Sequence, residues 1–296
     1  MLSLGGGGWL LFQQLLASGV VLGSWYALLG VSMGVIYSTT RTFHIAHSIV
    51  YTAAGYGAVV ASNILRIPLP IAVLVGITIG ILVGFTIDRF GYRGLRRRDS
   101  SPLVTFLFSL GLTVAITGLI QIVFGPDAWP LEGYPNHSYA FGDVRMTTVD
   151  LTKVFVCWAL IGATVLFLRS SKYGRAITAV RTNQEMAAAV GVDVERVHQV
   201  VFILGSGLVA CASLLFCIDA VASPNMGLEP ALLAFVVVFI GGVGDTFGAA
   251  IGGLFLGCIT DLSGFWLAGE YSSIVAFTAL FATVIVRPRG LLSRAS

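Results

Sequence analysis

Charge is what this chain has least of. Asp, Glu, Lys and Arg make up 10% of its 296 residues, where a soluble domain carries about 25%. Hydrophobic residues supply 56%, so there are too few charged side chains to cover a water-facing surface. There are only two lysines, Lys153 and Lys172, and neither follows a Gly. A G-x-x-x-x-G-K-[ST] phosphate loop is therefore absent, and the chain has no P-loop of its own for ATP hydrolysis. H-E-x-x-H does not occur, and no spaced Cys/His set does either, which argues against a metal site and a metal-dependent intramembrane enzyme. The four cysteines, Cys157, Cys211, Cys217 and Cys258, all fall in apolar runs and read as small packing residues. A net charge of +3 is too small to suggest nucleic acid as a partner. The first basic residue is Arg41, so no basic segment precedes the first apolar run. That run is expected to be a retained span, not a cleaved signal.

What fills the chain is apolar sequence, with a mean hydropathy of +0.92. A spanning helix needs about 20 mostly apolar residues. The predicted spans are Trp9 to Ile36, Phe43 to Leu65, Leu69 to Ile87, Leu103 to Phe124, Val149 to Leu168 and Val200 to Val221. The stretch from Ala231 to Val286 holds two or three more elements, broken at Gly241-Gly242-Val243-Gly244-Asp245 and again between Gly264 and Ser272. The expected fold is an all-α polytopic membrane protein of eight or nine membrane elements, a single transmembrane domain over 1–296. Basic residues near span ends favour the cytoplasm. Three clusters stand out: Arg89, Arg93, Arg96, Arg97 and Arg98; then Arg169, Lys172, Arg175 and Arg181; then Arg287, Arg289 and Arg294. Placing all three inside puts the N-terminus and the 127–148 loop outside, and the C-terminus in the cytoplasm.

Between two spans lies a polar island, 169–199, reading RSSKYGRAITAVRTNQEMAAAVGVDVERVHQ. Gly174 and Gly191 bracket one or two short helices. Ala176, Ala179, Val180, Met186, Ala187 and Val190 are expected to line one face. Glu185 suits a first helical turn, where a carboxylate meets the positive end of the dipole, and Gly191 suits a left-handed C-terminal cap. Such an Ala-rich helix fits a shallow groove on a partner, and it equally suits an ordinary loop lying on the membrane surface.

The spacing Glu185-Met186-Ala187-x-x-x-Gly191 resembles the EAA---G loop of ABC-importer permeases, with Met in place of the first Ala. YGRAITAVRTNQEMAAAVGVDVERVHQVVF is similar to the cytoplasmic region of LivH-type branched-chain amino-acid permeases. So, in order, are VVLGSWYALLGVSMGVIYSTTRTFHIAHSIVYTAAGY, DRFGYRGLRRRDSSPLVTFLFSLGL, FIGGVGDTFGAAIGGLFLG and VRPRGLL. The resemblance covers nearly the whole chain. It implies a cytoplasmic coupling helix, a second LivM-like permease subunit, two cytoplasmic ATPase subunits that carry ATP and Mg, and an external solute-binding protein. It also implies a bacterial inner membrane and no cofactor on this chain. Glu185, Ala187 and Gly191 carry over as coupling positions, with Ala188 beside them and with Arg175 and Arg181 facing acidic groups on the ATPase.

Translocation residues are expected among ionisable and broken segments. His44 and His47 would share a helix face at i, i+3, while Arg41 reaches the headgroups and the histidines satisfy polar backbone, or else the group lines a pathway. The resemblance sets Phe43, Ala46, His47 and Ser48 at the family's F-A-H-G segment, of which Ala46-His47 is kept. Ile45 stands for its Phe and Ser48 for its Gly. Gly242 and Gly244 sit at a break that suits a pore lining. Gly248, Gly252, Gly253 and Gly257 recur at the spacing that lets helices approach closely in lipid. Asp245 suits an N-cap for the helix that follows. Asp219, Glu229, Asp261 and Glu270 are expected near the outer face as solvated charges, with Asp219 and Glu229 alternatively meeting a binding protein. The competing class is a self-contained, ion-coupled secondary transporter of small organic solutes, which needs facing intramembrane carboxylates and internal repeats. The solute itself, whether branched-chain amino acid, urea or amide, is not written in the chain.

Overall fold

A computed structural model describes residues 6–131, 133–267, 271–287 and 290. Glu270, Arg289, Arg294 and the Leu-Leu of the VRPRGLL ending lie outside the described residues. The long helices begin and stop at recognisable signals. α1 (Gly6–Thr40) runs unbroken through the first apolar run. α2 (His47–Val59) continues into a π-helical turn, Val60–Ile64. Pro68 ends that segment and α3 (Leu69–Thr86) follows, with Pro at its start where a missing N–H costs nothing. α3 passes through a π-helical stretch, Ile87–Tyr92, into the short α4 (Arg93–Arg97). The helix thus carries the first basic cluster on its own end and does not stop at Ile87.

Ser101 caps α5 (Pro102–Phe124), which Gly125 ends at φ 78°. Three short strands follow, β1 (Trp129–Pro130), β2 (Ser138–Phe141) and β3 (Val144–Thr147). A reciprocal Thr147–Asp150 capping box then starts α6 (Thr148–Ser170). α7 (Lys172–Thr182) and α8 (Gln184–Ala189) precede α9 (Val194–Cys217). After β4 (Val221–Ala222) come α10 (Leu228–Gly241), α11 (Thr246–Ser263) and α12 (Ser272–Val286). Six helices are long and apolar enough to cross a membrane; α10 and much of α12 form shorter apolar helices.

α1 is the axis. In its most apolar stretch 83% of the residues are buried, against 11% in α5 and 17% in α6, which leave their apolar faces bare. α11 packs through glycine on two sides. A Cβ on Gly253 or Gly257 would collide with the α1 backbone at Ala27 or Gly23, and one on Gly248 or Gly252 would meet Gly241 of α10. The stripe is therefore a double seam. α3 carries a second stripe: Ala72, Gly76, Gly80 and Gly84 are its buried residues, set against Ala54, Ala210 and Ser206 of α2 and α9. The same four-residue spacing announces it in the sequence.

The bundle has two distinct ends. At one, β1 pairs with β4, Asn63 donates to the Pro130 carbonyl at 2.7 Å, and Gln14 donates to the Arg145 carbonyl at 3.0 Å. Lys153 meets Asp219 there at 2.7 Å. At the other, Arg93 and Arg96 both reach Glu195, at 3.2 and 3.4 Å, and Arg96 also holds the buried Asp88 at 2.8 Å. The island and the α10–α11 break share this second, basic end.

Two local expectations are corrected. The second span begins at His47, and residues 41–44 are non-helical, so His44 and His47 do not share a helix face. Arg41, at φ 53°, turns the chain out of α1 before it can re-enter a helix. On the island, the inward face is Gly174, Ile177, Val180 and Ala187. Met186 and Val190 are 62% and 75% exposed. Asn183, extended at φ −155°, interrupts the helical register and re-aims every side chain after it.

Candidate functional site

α7 is built into the body. Ser171 caps it, accepting from the Gly174 amide at 2.8 Å, and that turn places Gly174 hard against the Leu168 backbone with no room for a side chain. Ile177 and Val180 are buried. At the end of α7 the Arg181 guanidinium donates to the carbonyl of Gly244, 63 residues away. Gly244 stands in the break between α10 and α11, where Gly242 and Gly244 take φ 107° and 95°. Asp245 then caps α11, accepting from the Phe247 amide at 3.0 Å. A cavity of about 170 Å³ lies between α6, α7 and this break, with Arg169, Thr178, Arg181 and Asp245 on its wall. Arg175, by contrast, is exposed and donates to its neighbour Ser170's carbonyl at 3.3 Å.

α8 is a separate device on the same platform. Asn183 caps it through the Met186 amide at 3.0 Å, and Glu185 occupies its first turn, each contributing on the order of 1 kcal/mol or less. Its end is a Schellman closure: Gly191 N–H donates to Ala188 at 3.0 Å and Val192 N–H to Ala187 at 3.0 Å. Gly191 sits at φ 88°, and a Cβ there would meet nothing within 4 Å, so backbone conformation and not crowding selects the glycine. Only Ala187 of this helix is buried. Glu185, Met186, Ala188 and Gly191 all face outward. A firmly capped helix with one anchor and a bare outer face is shaped to meet another surface.

The residues proposed from sequence for translocation do not gather at one place. His47 Nε2 lies 3.0 Å from Ser32 Oγ, and His44 Nδ1 lies 2.8 Å from Tyr92 Oη. Both rings are fully buried, and their partners are side-chain hydroxyls, not backbone. Ser48 and Ala46 are buried beside them, with Ser48 Oγ 3.5 Å from Thr113 Oγ1. Phe43 instead stacks on Phe235 of α10 at 5.5 Å and meets Tyr37 at 5.1 Å. Gly242 and Gly244 lie with Arg181 at the basic end. The sequence reading missed the Asp88–Arg96–Glu195–Arg93 network, whose signal was an acidic residue inside a span end next to an arginine cluster. Among the described residues, no three His, Cys, Asp or Glu side chains lie close enough to hold a metal ion.

A bundle of apolar helices joined through glycine seams, with a polar helical platform at one end, defines a polytopic membrane permease. Residues 15–284 match the family described as branched-chain amino acid transport system / permease component, and the chain belongs to that family. It is 29% identical to the high-affinity branched-chain amino acid transport system permease protein LivH of Escherichia coli K12, over 96% of each chain. It is 26% identical to permease protein BraD of Pseudomonas aeruginosa, again over 96% of each. Among solved structures, PsaBC from Streptococcus pneumoniae in complex with Fab shares the fold at a TM-score of 0.52 and 14% identity, covering 94% of this chain and 92% of that one. The protein is thus a multi-pass membrane transport subunit and not an enzyme.

Proposed function

We propose that this chain is a permease subunit of an ABC importer for branched-chain or other neutral amino acids, and that α8 is the helix through which ATPase subunits drive it. The observation that carries the reading is the contrast within the island: α7 is locked to the bundle, and α8 presents Glu185, Met186, Ala188 and Gly191 outward from it. Force applied to α8 passes through α7 and Arg181 to the Gly244 break, and so to α10 and α11. Ala187 serves as the anchor of α8, and Arg175 remains available to an acidic partner group. Residues 1–296 act as one permease unit, with 169–199 as the cytoplasmic coupling loop and 127–148 as the external loop. That orientation sets the N-terminus outside and the C-terminus inside a bacterial inner membrane, in contact with lipid along α5 and α6. The partners are a second, LivM-like permease, two ATPase subunits that bind ATP and Mg, and an external solute-binding protein.

A bundle interior with few charges suits a zwitterion better than a multiply charged solute. Ion-coupled transport by this chain alone is less well supported: Asp88 is the one fully buried carboxylate among the described residues, and Arg96 already holds it. Co-purification tests the reading. The solubilised chain with its partner permease is expected to retain the ATPase, and uptake is expected to require ATP. Transport driven by a proton gradient with no ATPase bound contradicts it.

A further inference from the structure

A cavity of about 410 Å³ lies at the end of the bundle opposite α8, where α1, the end of α9 and the first turn of α10 meet. Its volume falls in the range of small-molecule sites, about 300–1,000 Å³. Trp25, Tyr26, Phe216 and Leu233 form its apolar wall. That wall is held in place: Trp25 Nε1 donates to the Ala212 carbonyl at 2.9 Å, and the indole stacks on Phe216 at 5.8 Å.

The polar side of the cavity comes from Ser223, Asn225 and Glu229. Glu229 accepts from Ser273 Oγ at 2.7 Å through one carboxylate oxygen; the side chains of Ser223 and Asn225 have no hydrogen-bond partner among the described residues. No Lys or Arg lines the cavity. A lone carboxylate opposite aromatic faces attracts an ammonium group, through charge and through the ring quadrupoles, and repels anionic solutes. α10 is a short membrane helix of 14 residues that ends at the glycine break, and its first turn has no side-chain cap. That turn already holds Glu229, Pro230 brings no N–H, and the Leu228 and Ala231 amides are taken by the Asn225 and Gly227 carbonyls, so the donors left for a solute carboxylate are the Ser223 hydroxyl and the Asn225 amide. Ammonium, carboxylate and apolar body are the three parts of one molecule class.

We propose that this cavity is a solute subsite for an α-amino acid with an apolar side chain. The ammonium meets Glu229, the carboxylate meets the Ser223 hydroxyl and the Asn225 amide, and the side chain packs on Trp25, Phe216 and Leu233. The assignment rests on the reading of the chain as an amino-acid importer permease. The test uses the assembled transporter in proteoliposomes with its binding protein and L-leucine as the probe. Glu229→Gln is expected to lower leucine uptake about tenfold, as loss of a charge-assisted contact does, while the affinity of the leucine-loaded binding protein for the transporter stays within about twofold. Leu233→Trp, which narrows the cavity, is expected to cut leucine uptake more than alanine uptake. Unchanged leucine uptake in Glu229→Gln overturns the subsite. So does an equal loss of uptake and of binding-protein affinity, which makes Glu229 a docking contact, or an equal loss of leucine and alanine uptake in Leu233→Trp. If the unaltered transporter moves neither leucine nor alanine, the importer reading fails, and the ligand assigned to the cavity fails with it.

Discussion

α7 and α8 are separated by one residue and both mix Ala with polar side chains, yet the structure uses them in opposite ways. α7 has a face of Gly174, Ile177 and Val180 turned into the bundle and an arginine tied to a distant carbonyl. α8 has one buried methyl group, Ala187, and is otherwise bare. The extended Asn183 between them accounts for the difference. It ends one helix and caps the next, so the second helix starts on a new axis and its outer face leaves the protein. The docking role proposed for α8 requires a helix that is stiff yet uncommitted on its outer side. Placing it after a committed helix gives it a rigid base without covering it.

Substitutions can break or sharpen this contrast. The largest effect is expected from Gly174→Val, because any side chain there runs into the Leu168 backbone. Overpacking of this kind costs about 1–3 kcal/mol or more. Thermal stability and the amount of membrane-inserted chain should both fall. Gly191→Leu is expected to abolish ATP-dependent uptake while the chain still inserts. The strain at φ 88° is local, about 1–2 kcal/mol, and it opens the Schellman turn that shapes α8.

Ala188→Trp adds bulk to the outer face of α8 alone. ATPase capture in a pull-down should drop about tenfold, with stability changed by no more than about 0.5 kcal/mol, as for an exposed site. Arg181→Ala removes a hydrogen bond from a charged group, a loss of about 1.5–3 kcal/mol. Here the expected signature is different: ATPase capture is retained, and uptake per ATP hydrolysed falls a few-fold. The smallest change, under about twofold, is expected from Arg175→Ala, whose side chain is exposed and donates to the Ser170 carbonyl on the same island. That variant is read out by the same uptake assay.

Much of this was legible in the chain. The apolar runs placed the spans, because length and hydropathy are local properties, but the helix of α3 runs on to Arg97 and α9 already begins at Val194. The four-residue glycine spacing of α11 gave its packing role, and Gly191 and Asp245 gave their caps, because the backbone geometry each requires is set by its own sequence. Contacts between distant parts were not legible. Nothing near Arg181 points to Gly244, and nothing near Glu195 points to Arg96, 99 residues away. His44 and His47 show the same limit at short range. Their spacing is helical, but the left-handed turn at Arg41 depends on how α1 ends against the rest of the bundle. For the island, composition announced one or two short helices, and the inward face could be assigned only once Asn183 was known to divide them.

The central claim, that α8 is the surface the motor subunits grip, is tested most directly by photo-crosslinking in the assembled transporter. A photoreactive residue is placed at Ala188 in one sample and at the exposed Tyr139, at the opposite end of the bundle, in another. An ATPase adduct is expected from position 188 and none from position 139. An ATPase adduct from 139, or a position 188 that crosslinks only to lipid or to the binding protein, would contradict it.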